Sequence, residues 1–370
     1  MATGARLAEL DALRGIAAMA VVLFHYFTKY EELFGHNTPP VFSLPWGSYD
    51  GVHLFSLGHY GVNLFFMISG FVIFMTLERT KAPMDFVVSR FSRLFPAYWA
   101  AVALTFSVVF VLGLPGKEVS FAQALANFSM VQSFFNVPHV DGVYWTLEVE
   151  LLFYAWAFLA YRLGWLHRVH ALLLAAMALR LIYFLAAEFF RVDLPWIVSR
   201  YLILNFIAWF SIGVMVYRLS GRASGHCTRR ADLSVVACAI ALLATVHSLW
   251  IGLLALALSA VLWGAASGHL PWLGNRVLLG LGTISYTLYL VHENIGWAVM
   301  RPIQAAGWSS KLSILVALIL SLVLATLLTW LTEARRVHGS TKPSCWPKMP
   351  KRRREAILPE SNKHRPHAAH

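Results

Sequence analysis

Charge is the first thing this sequence is short of: 13% of its 370 residues are Asp, Glu, Lys or Arg, against about 25% in an ordinary soluble domain. With 58% hydrophobic side chains, a water-facing surface for a fold of this length cannot be assembled from what remains. Cysteine is scarce as well. Cys227, Cys238 and Cys345 show neither paired nor metal-ligand spacing, which argues against a disulfide framework and against a bound metal. There is no internal repeat of soluble-domain size. The net charge of +12 looks like a nucleic-acid signal only until its distribution along the chain is followed.

What the chain has in quantity is apolar runs of roughly 20 residues, the length that crosses a hydrocarbon core about 30 Å thick. Ten are readable: 10–29, 59–78, 94–113, 144–163, 169–188, 200–219, 233–248, 249–267, 277–300 and 312–332. The stretch 233–267 also reads as one long helix and a loop, and 121–135 as an interfacial helix. Backbone groups in lipid must bond within their own segment, so these runs are helices. The first carries an Arg and a His and is followed by further spans, which marks a mature helix rather than a cleaved signal. The expected fold is therefore an all-α polytopic membrane protein with about ten transmembrane helices.

With a cytoplasmic start, the basic residues sort by side. Arg6, the loop from Arg79 to Arg93, Arg162, Arg168, the loop from Arg218 to Arg230, Arg276 and the residues after Arg335 fall inside. Lys29, Lys117, Arg191, Arg200, Arg301 and Lys311 fall outside. This is the positive-inside asymmetry, and it puts both termini in the cytoplasm. The positive charge then serves topology and attraction to anionic headgroups, and no nucleic-acid partner is needed. The expected division is a membrane domain over 1–335 and a basic, disordered cytoplasmic tail over 336–370.

An ionisable group at the bilayer centre costs at least about 2.5–3.5 kcal/mol, so each one is a candidate for function. The first span holds Arg14 and His25, about three turns and roughly 16 Å apart on one face, with Asp11 and Ala18 on the same side. The bland alternative is that Arg14 snorkels toward Asp11 while His25 bonds a neighbouring helix. In the second span Asn63 and Ser69 are candidates, although Ser and Gly there also serve helix packing. Arg90 and Arg93, three apart at a helix start, suit a forked grip on phosphate or simple anchoring at the membrane face. Thr146, Glu150 and Tyr154 form one stripe of the fourth span, with Glu148 aimed elsewhere. Ser285, Tyr289 and His292 line up at i, i+4 and i+7 in the ninth. Topology puts His25, Glu150 and His292 at similar depth in the outer half. Trp145, with Tyr60 and Tyr144, sits near the outer mouth, where aromatics stack on sugars or form an interfacial belt.

Five segments in order resemble acyltransferase family 3, a group of multi-pass membrane O-acyltransferases. They are Leu10-Asp11-Ala12-Leu13-Arg14-Gly15 with His25, Gly61-Val62-Asn63-Leu64-Phe65-Phe66 through Ser69-Gly70-Phe71, Arg90 through Arg93, Trp145-Thr146-Leu147-Glu148-Val149-Glu150 with Phe153-Tyr154, and Ser285-Tyr286 through Tyr289-Leu290-Val291-His292. The resemblance covers about 7–335. It implies ten transmembrane helices in the bacterial inner membrane. It also implies transfer of an acyl group, usually acetyl, from cytoplasmic acyl-CoA to a hydroxyl of a carbohydrate, glycolipid or similar acceptor, with no tightly bound cofactor. It implies that the Arg14–His25 pair is essential, that Arg90 and Arg93 handle the donor, and that Glu150 belongs to the site. Asn63 departs from a common Asp, and Glu148 from a common small residue.

The mechanism expected on this basis has Arg14, Arg90 and Arg93 holding the donor phosphates. His25 acts as base or nucleophile and Glu150 orients it, while Asn63, Ser69 or Tyr289 donates to the oxyanion. A secondary transporter is the rival reading, since intramembrane Arg, Glu and His also mark ion paths. No inverted repeat or matched pair of Gly/Pro-broken helices accompanies them.

Overall fold

A computed structural model describes residues 7–34, 55–223 and 228–339, and every regular element among them is helical. The tail beyond residue 339 and the cysteines at 227 and 345 lie outside the described residues. Two units are distinguished, 1–330 and 331–370, and the architecture below is that of the first.

Eleven principal helices follow in order: α1 (Ala8–Phe24), α2 (Gly61–Arg79), α3 (Pro83–Leu112), α4 (Trp145–Arg162), α5 (Val169–Phe189), α6 (Ile207–Leu219), α7 (Arg229–Val246), α8 (Leu249–Ala266), α9 (Arg276–Val291), α10 (Glu293–Ala305) and α11 (Ser310–Gly339). Among the described residues, seven helical stretches are long and apolar enough to cross a bilayer: Ala8–Phe34, Ser56–Arg79, Pro83–Leu112, Gly142–Arg162, Trp165–Phe189, Leu249–Ala266 and Ser310–Thr332. The other three expected runs are helical but differ in form. Residues 200–219 divide into Trp196–Tyr201 and α6. Residues 233–246 of the run 233–248 lie in α7, which carries Arg229, Arg230 and Asp232 in its first turn. Residues 277–300 break at His292 into α9 and α10. The stretch 233–267 forms two helices, and 121–135 holds a short helix, Phe121–Asn127, and a 3-10 turn.

The break at His292 has a local cause. Its Nδ1–H donates to the carbonyls of Tyr289 (2.8 Å) and Leu288 (3.1 Å), oxygens that the next backbone amides would otherwise use. A side chain inserted in this way opens the helical ladder. The His292 carbonyl accepts from the Gly296 amide at 3.0 Å and from the Tyr26 hydroxyl at 2.7 Å. Beyond α1 the first helix widens into a π turn, His25–Lys29, closed by the Tyr30 amide on the His25 carbonyl.

At the centre, α1 packs along α9 and α2 packs along α6, with α1 against α2 between them. Helix α6 is buried from Ile207 to Arg218. Asp232, fully buried, accepts from Arg218 (2.7 Å) and His170 (2.6 Å) and so ties α7 to α6 and α5. Helices α1 and α9 touch backbone to backbone: a Cβ on Gly15 would lie 2.6 Å from the Gly282 nitrogen, and one on Gly282 would meet the Asp11 carbonyl. Only glycine allows that approach. Ten residues beyond the crossing on each helix stand His25 and His292, a matched rise of about 15 Å.

Replacing Gly282 with Leu drives a side chain into the Asp11 carbonyl. It is expected to lower the thermal midpoint in detergent by on the order of 5 °C. Gly280→Leu, where nothing lies within 4 Å, is the control and should leave the midpoint unchanged.

Candidate active site

The two histidines meet. His25 Nδ1 and His292 Nε2 are 2.8 Å apart, with ring centroids at 4.9 Å. Their tautomers follow from the partners. Both acceptors at His292 Nδ1 are carbonyl oxygens, so that nitrogen carries the proton. The Nε2 of neutral His292 therefore accepts, and His25 Nδ1 donates to it. This leaves the lone pair of His25 on Nε2, which has no hydrogen-bond partner among the described residues and lies 3.8 Å from Glu293 Oε2. The His25 ring is held in place by Trp297, whose indole stands edge-on to it at 6.0 Å and donates to the His25 carbonyl at 3.2 Å.

Glu293 is itself placed by its surroundings. Its carboxyl packs on Gly142, where a Cβ would lie 2.8 Å from Cδ, and it faces Asp141. Asp141 is fully buried and accepts from the Asn294 and Val143 amides at 3.1 and 3.2 Å. Burial pushes its carboxyl up from the ordinary 3.8 to about 7, against the pull of those two amides. The two carboxyls thus lie side by side in a place closed to water. The loop delivering Asp141 is pinned by Asn127, which donates to the Pro138 carbonyl (2.9 Å) and accepts from the Val140 amide (3.0 Å).

On the near side of this pair runs a narrow cavity, lined along α2 from Val62 to Ile73, a length of roughly 16 Å. Arg14, Arg90 and Arg93 line it, and Glu150 is the one carboxylate that does. Arg90 donates to Thr76 at 3.1 Å, but among the described residues its buried Nε and Nη1 have no hydrogen-bond partner. Among the described residues Arg14 and Arg93 make no hydrogen bond or ion pair. Glu150 accepts from Ser69 at 2.7 Å and from the Tyr154 hydroxyl. Three guanidinium groups against one carboxylate leave two positive charges facing an enclosed space, an arrangement that suits an anion. At the cavity's upper end the hydroxyls of Thr146 and Tyr289 meet at 2.8 Å, and the Tyr289 ring lies 5.7 Å from that of His292.

The expected site residues thus fall into two groups. His25 and His292 form one. Arg14, Ser69, Arg90, Arg93, Glu150, Tyr154 and Tyr289 line the cavity. The expected pairing of Glu150 with His25 is not what the structure has. The stripe of α4 that carries Glu150 faces Ser69, Tyr154 and the arginines, and the carboxyl beside His25 is that of Glu293. Asn63 and Ser285 line no part of the cavity, and Ser285 donates to its own helix at the Gly282 carbonyl. Trp145 lies on another face of α4, against Phe206. Sequence reasoning gave no role to Glu293 or Asp141. Glu293 follows His292 directly, but in an unbroken helix it would point about 100° away.

The sequence profile described as "Acyltransferase domain", that of acyltransferase family 3, matches residues 7–333. The chain belongs to that family. Among curated relatives, the exopolysaccharide production protein ExoZ of Rhizobium meliloti is 30% identical over 28% of this chain and 34% of its own length. Protein 2 in the picA locus of Rhizobium radiobacter is 36% identical over 29% of this chain and 49% of its own. The acyltransferase MdmB of Streptomyces mycarofaciens is 27% identical over 43% of this chain and 40% of its own. The chain therefore aligns with less than half the length of each of these relatives. No solved structure matches this family member.

An anion that fills the cavity should stabilise the fold. Inorganic pyrophosphate at about 100 times its Kd adds about 2.7 kcal/mol, a rise of roughly 3–4 °C in thermal midpoint. The rise should shrink with added salt and disappear in Arg90→Gln and Arg93→Gln. An equal rise in those variants would place the anion elsewhere.

Proposed function

We propose that this protein is an O-acyltransferase that moves an acyl group, acetyl in the simplest case, from cytoplasmic acyl-CoA to a hydroxyl of a carbohydrate. The observation that carries this reading is a histidine nitrogen with a free lone pair, beside a carboxylate, one side-chain layer beyond a cavity lined by three arginines. The cavity's length of roughly 16 Å is comparable to an extended phosphopantetheine arm. Arg14, Arg90 and Arg93 hold the donor phosphates at its lower end, where forked bonds fit better than a point charge. The thioester then lies under Tyr289 and Thr146.

The acceptor hydroxyl gives its proton to His25 Nε2, and its oxygen attacks the thioester carbonyl. The carbon–sulfur bond breaks, and the thiolate leaves and recovers the proton from the imidazolium. Glu293 stabilises that imidazolium, and His292 keeps the ring in the competent tautomer. The Tyr289 hydroxyl is the donor best placed for the oxyanion. The chain crosses the bacterial inner membrane ten times in this reading, with α9 and α10 together making one crossing. The termini are cytoplasmic, and the inside clustering of Lys and Arg supports that orientation. The exopolysaccharide and acyltransferase names of its relatives support the carbohydrate and the chemistry.

The test is thiol release by purified protein in nanodiscs with acetyl-CoA and de-esterified polysaccharide extracted from a strain lacking the protein. His25→Ala should reduce transfer to background while eluting as a folded monodisperse species; normal transfer by that variant would end the assignment. Glu293→Gln should lower kcat by about 100-fold with the acetyl-CoA KM unchanged. Arg14→Lys should raise the acetyl-CoA KM by about tenfold or more. Radiolabel retained on the protein after incubation with donor alone would replace the general-base step with an acyl-histidine.

A further inference from the structure

Helix α4 has a second functional face. While Thr146, Glu150 and Tyr154 line the arginine cavity, Trp145, Glu148 and Leu152 line a separate groove of about 350 Å³, within the roughly 300–1,000 Å³ of small-molecule sites. The wall between them includes Phe66, packed on Phe206 and Phe210. We propose that this groove binds a sugar ring of the acceptor, away from the point of acyl transfer; the assignment rests on the carbohydrate acceptor proposed above.

The chemistry of the lining carries it. Sugar rings offer an apolar C–H face to an aromatic ring and a rim of uncharged hydroxyls to planar polar groups. The groove has both. Trp145 and Trp196, 40% and 65% exposed, present indole surface, and Phe206 backs Trp145 at 5.4 Å. Between the indoles Arg200 pairs with Glu148 at 2.8 Å, and Ser133 bonds both. Glu148 is 5% exposed, so the pair is built in rather than a surface accident. Arg200 uses only Nη2 in these bonds, which leaves its remaining N–H groups for a ligand. The Ser199 hydroxyl and Asn205 amide line the groove and make no hydrogen bond among the described residues.

Charge separates this groove from the cavity. Arg200 and Glu148 cancel, so the groove suits neutral hydroxyls, whereas the cavity's excess of cations suits phosphate. Distance connects the two. His139 lines the groove, and Asp141, which faces Glu293 beside His25, follows two residues later, within about 7 Å of chain. The backbone is fixed on the other flank too. Ile203, a β-branched residue 2% exposed, is held at φ 49° and turns the chain so that Asn205 and Phe206 face the groove.

The test uses the full-length protein in nanodiscs with saturating acetyl-CoA and the same de-esterified polysaccharide. Trp196→Ala and Asn205→Ala alter exposed residues outside the transfer machinery, and Trp272→Ala, equally exposed elsewhere, is the control. The acceptor KM should rise about tenfold in Trp196→Ala and about threefold in Asn205→Ala. The kcat and the acetyl-CoA KM should hold, and Trp272→Ala should match wild type. An unchanged acceptor KM in both variants overturns the groove, as does a fall in kcat alone, while the transferase assignment stands. Absence of transfer by the wild-type protein overturns that assignment instead.

Discussion

Two helix backbones in contact at Gly15 and Gly282 set the geometry of what lies on either side of them. A side chain at either position would hold the helices apart. Without one they run together long enough for residues ten positions further on to share a hydrogen bond. The histidine pair is thus a product of packing at a distance. No feature of the rings themselves brings them together, and interhelical hydrogen bonds of this kind are individually modest, about 0.6–2 kcal/mol. Van der Waals contact along α1 and α9 supplies the energy, and the histidines receive the alignment.

Charge balance separates structural polar groups from functional ones. Asp232 is buried and answered by Arg218 and His170, which fits a joint between helices. Arg14, Arg90 and Arg93 share a cavity with one carboxylate, and most of their donors are unanswered. Keeping such groups out of water costs several kcal/mol per ion unless something compensates. Three guanidinium groups facing one carboxylate are an arrangement suited to an anion. The groove beyond α4 shows the third case, in which charge is satisfied internally and the remaining polar atoms are neutral or partly used.

Much of this was legible from residue order. Apolar runs gave the helices because lipid leaves the backbone no alternative, and Arg14, His25, Glu150 and His292 stood out because ionisable groups are costly there. Helical spacing put Thr146, Glu150 and Tyr154 on one stripe, and all three line the cavity, but it said nothing of partners contributed by other elements, such as Ser69. The Glu150–His25 pairing failed for that reason: equal depth does not fix azimuth. Glu293 was hidden by the break at His292, which re-aims every residue after it, and Asp141 by lying in a loop with no period to read. The Glu148–Arg200 pair joins segments 52 residues apart, a separation that no local pattern spans.

The π turn at His25–Lys29 holds more chain per revolution than the helix before it. It therefore uncouples the heading of the histidine from the headings of the residues that follow Lys29. Insertions and deletions accumulating past that turn can re-sculpt the rim while the imidazole of His25 keeps its bearing against His292.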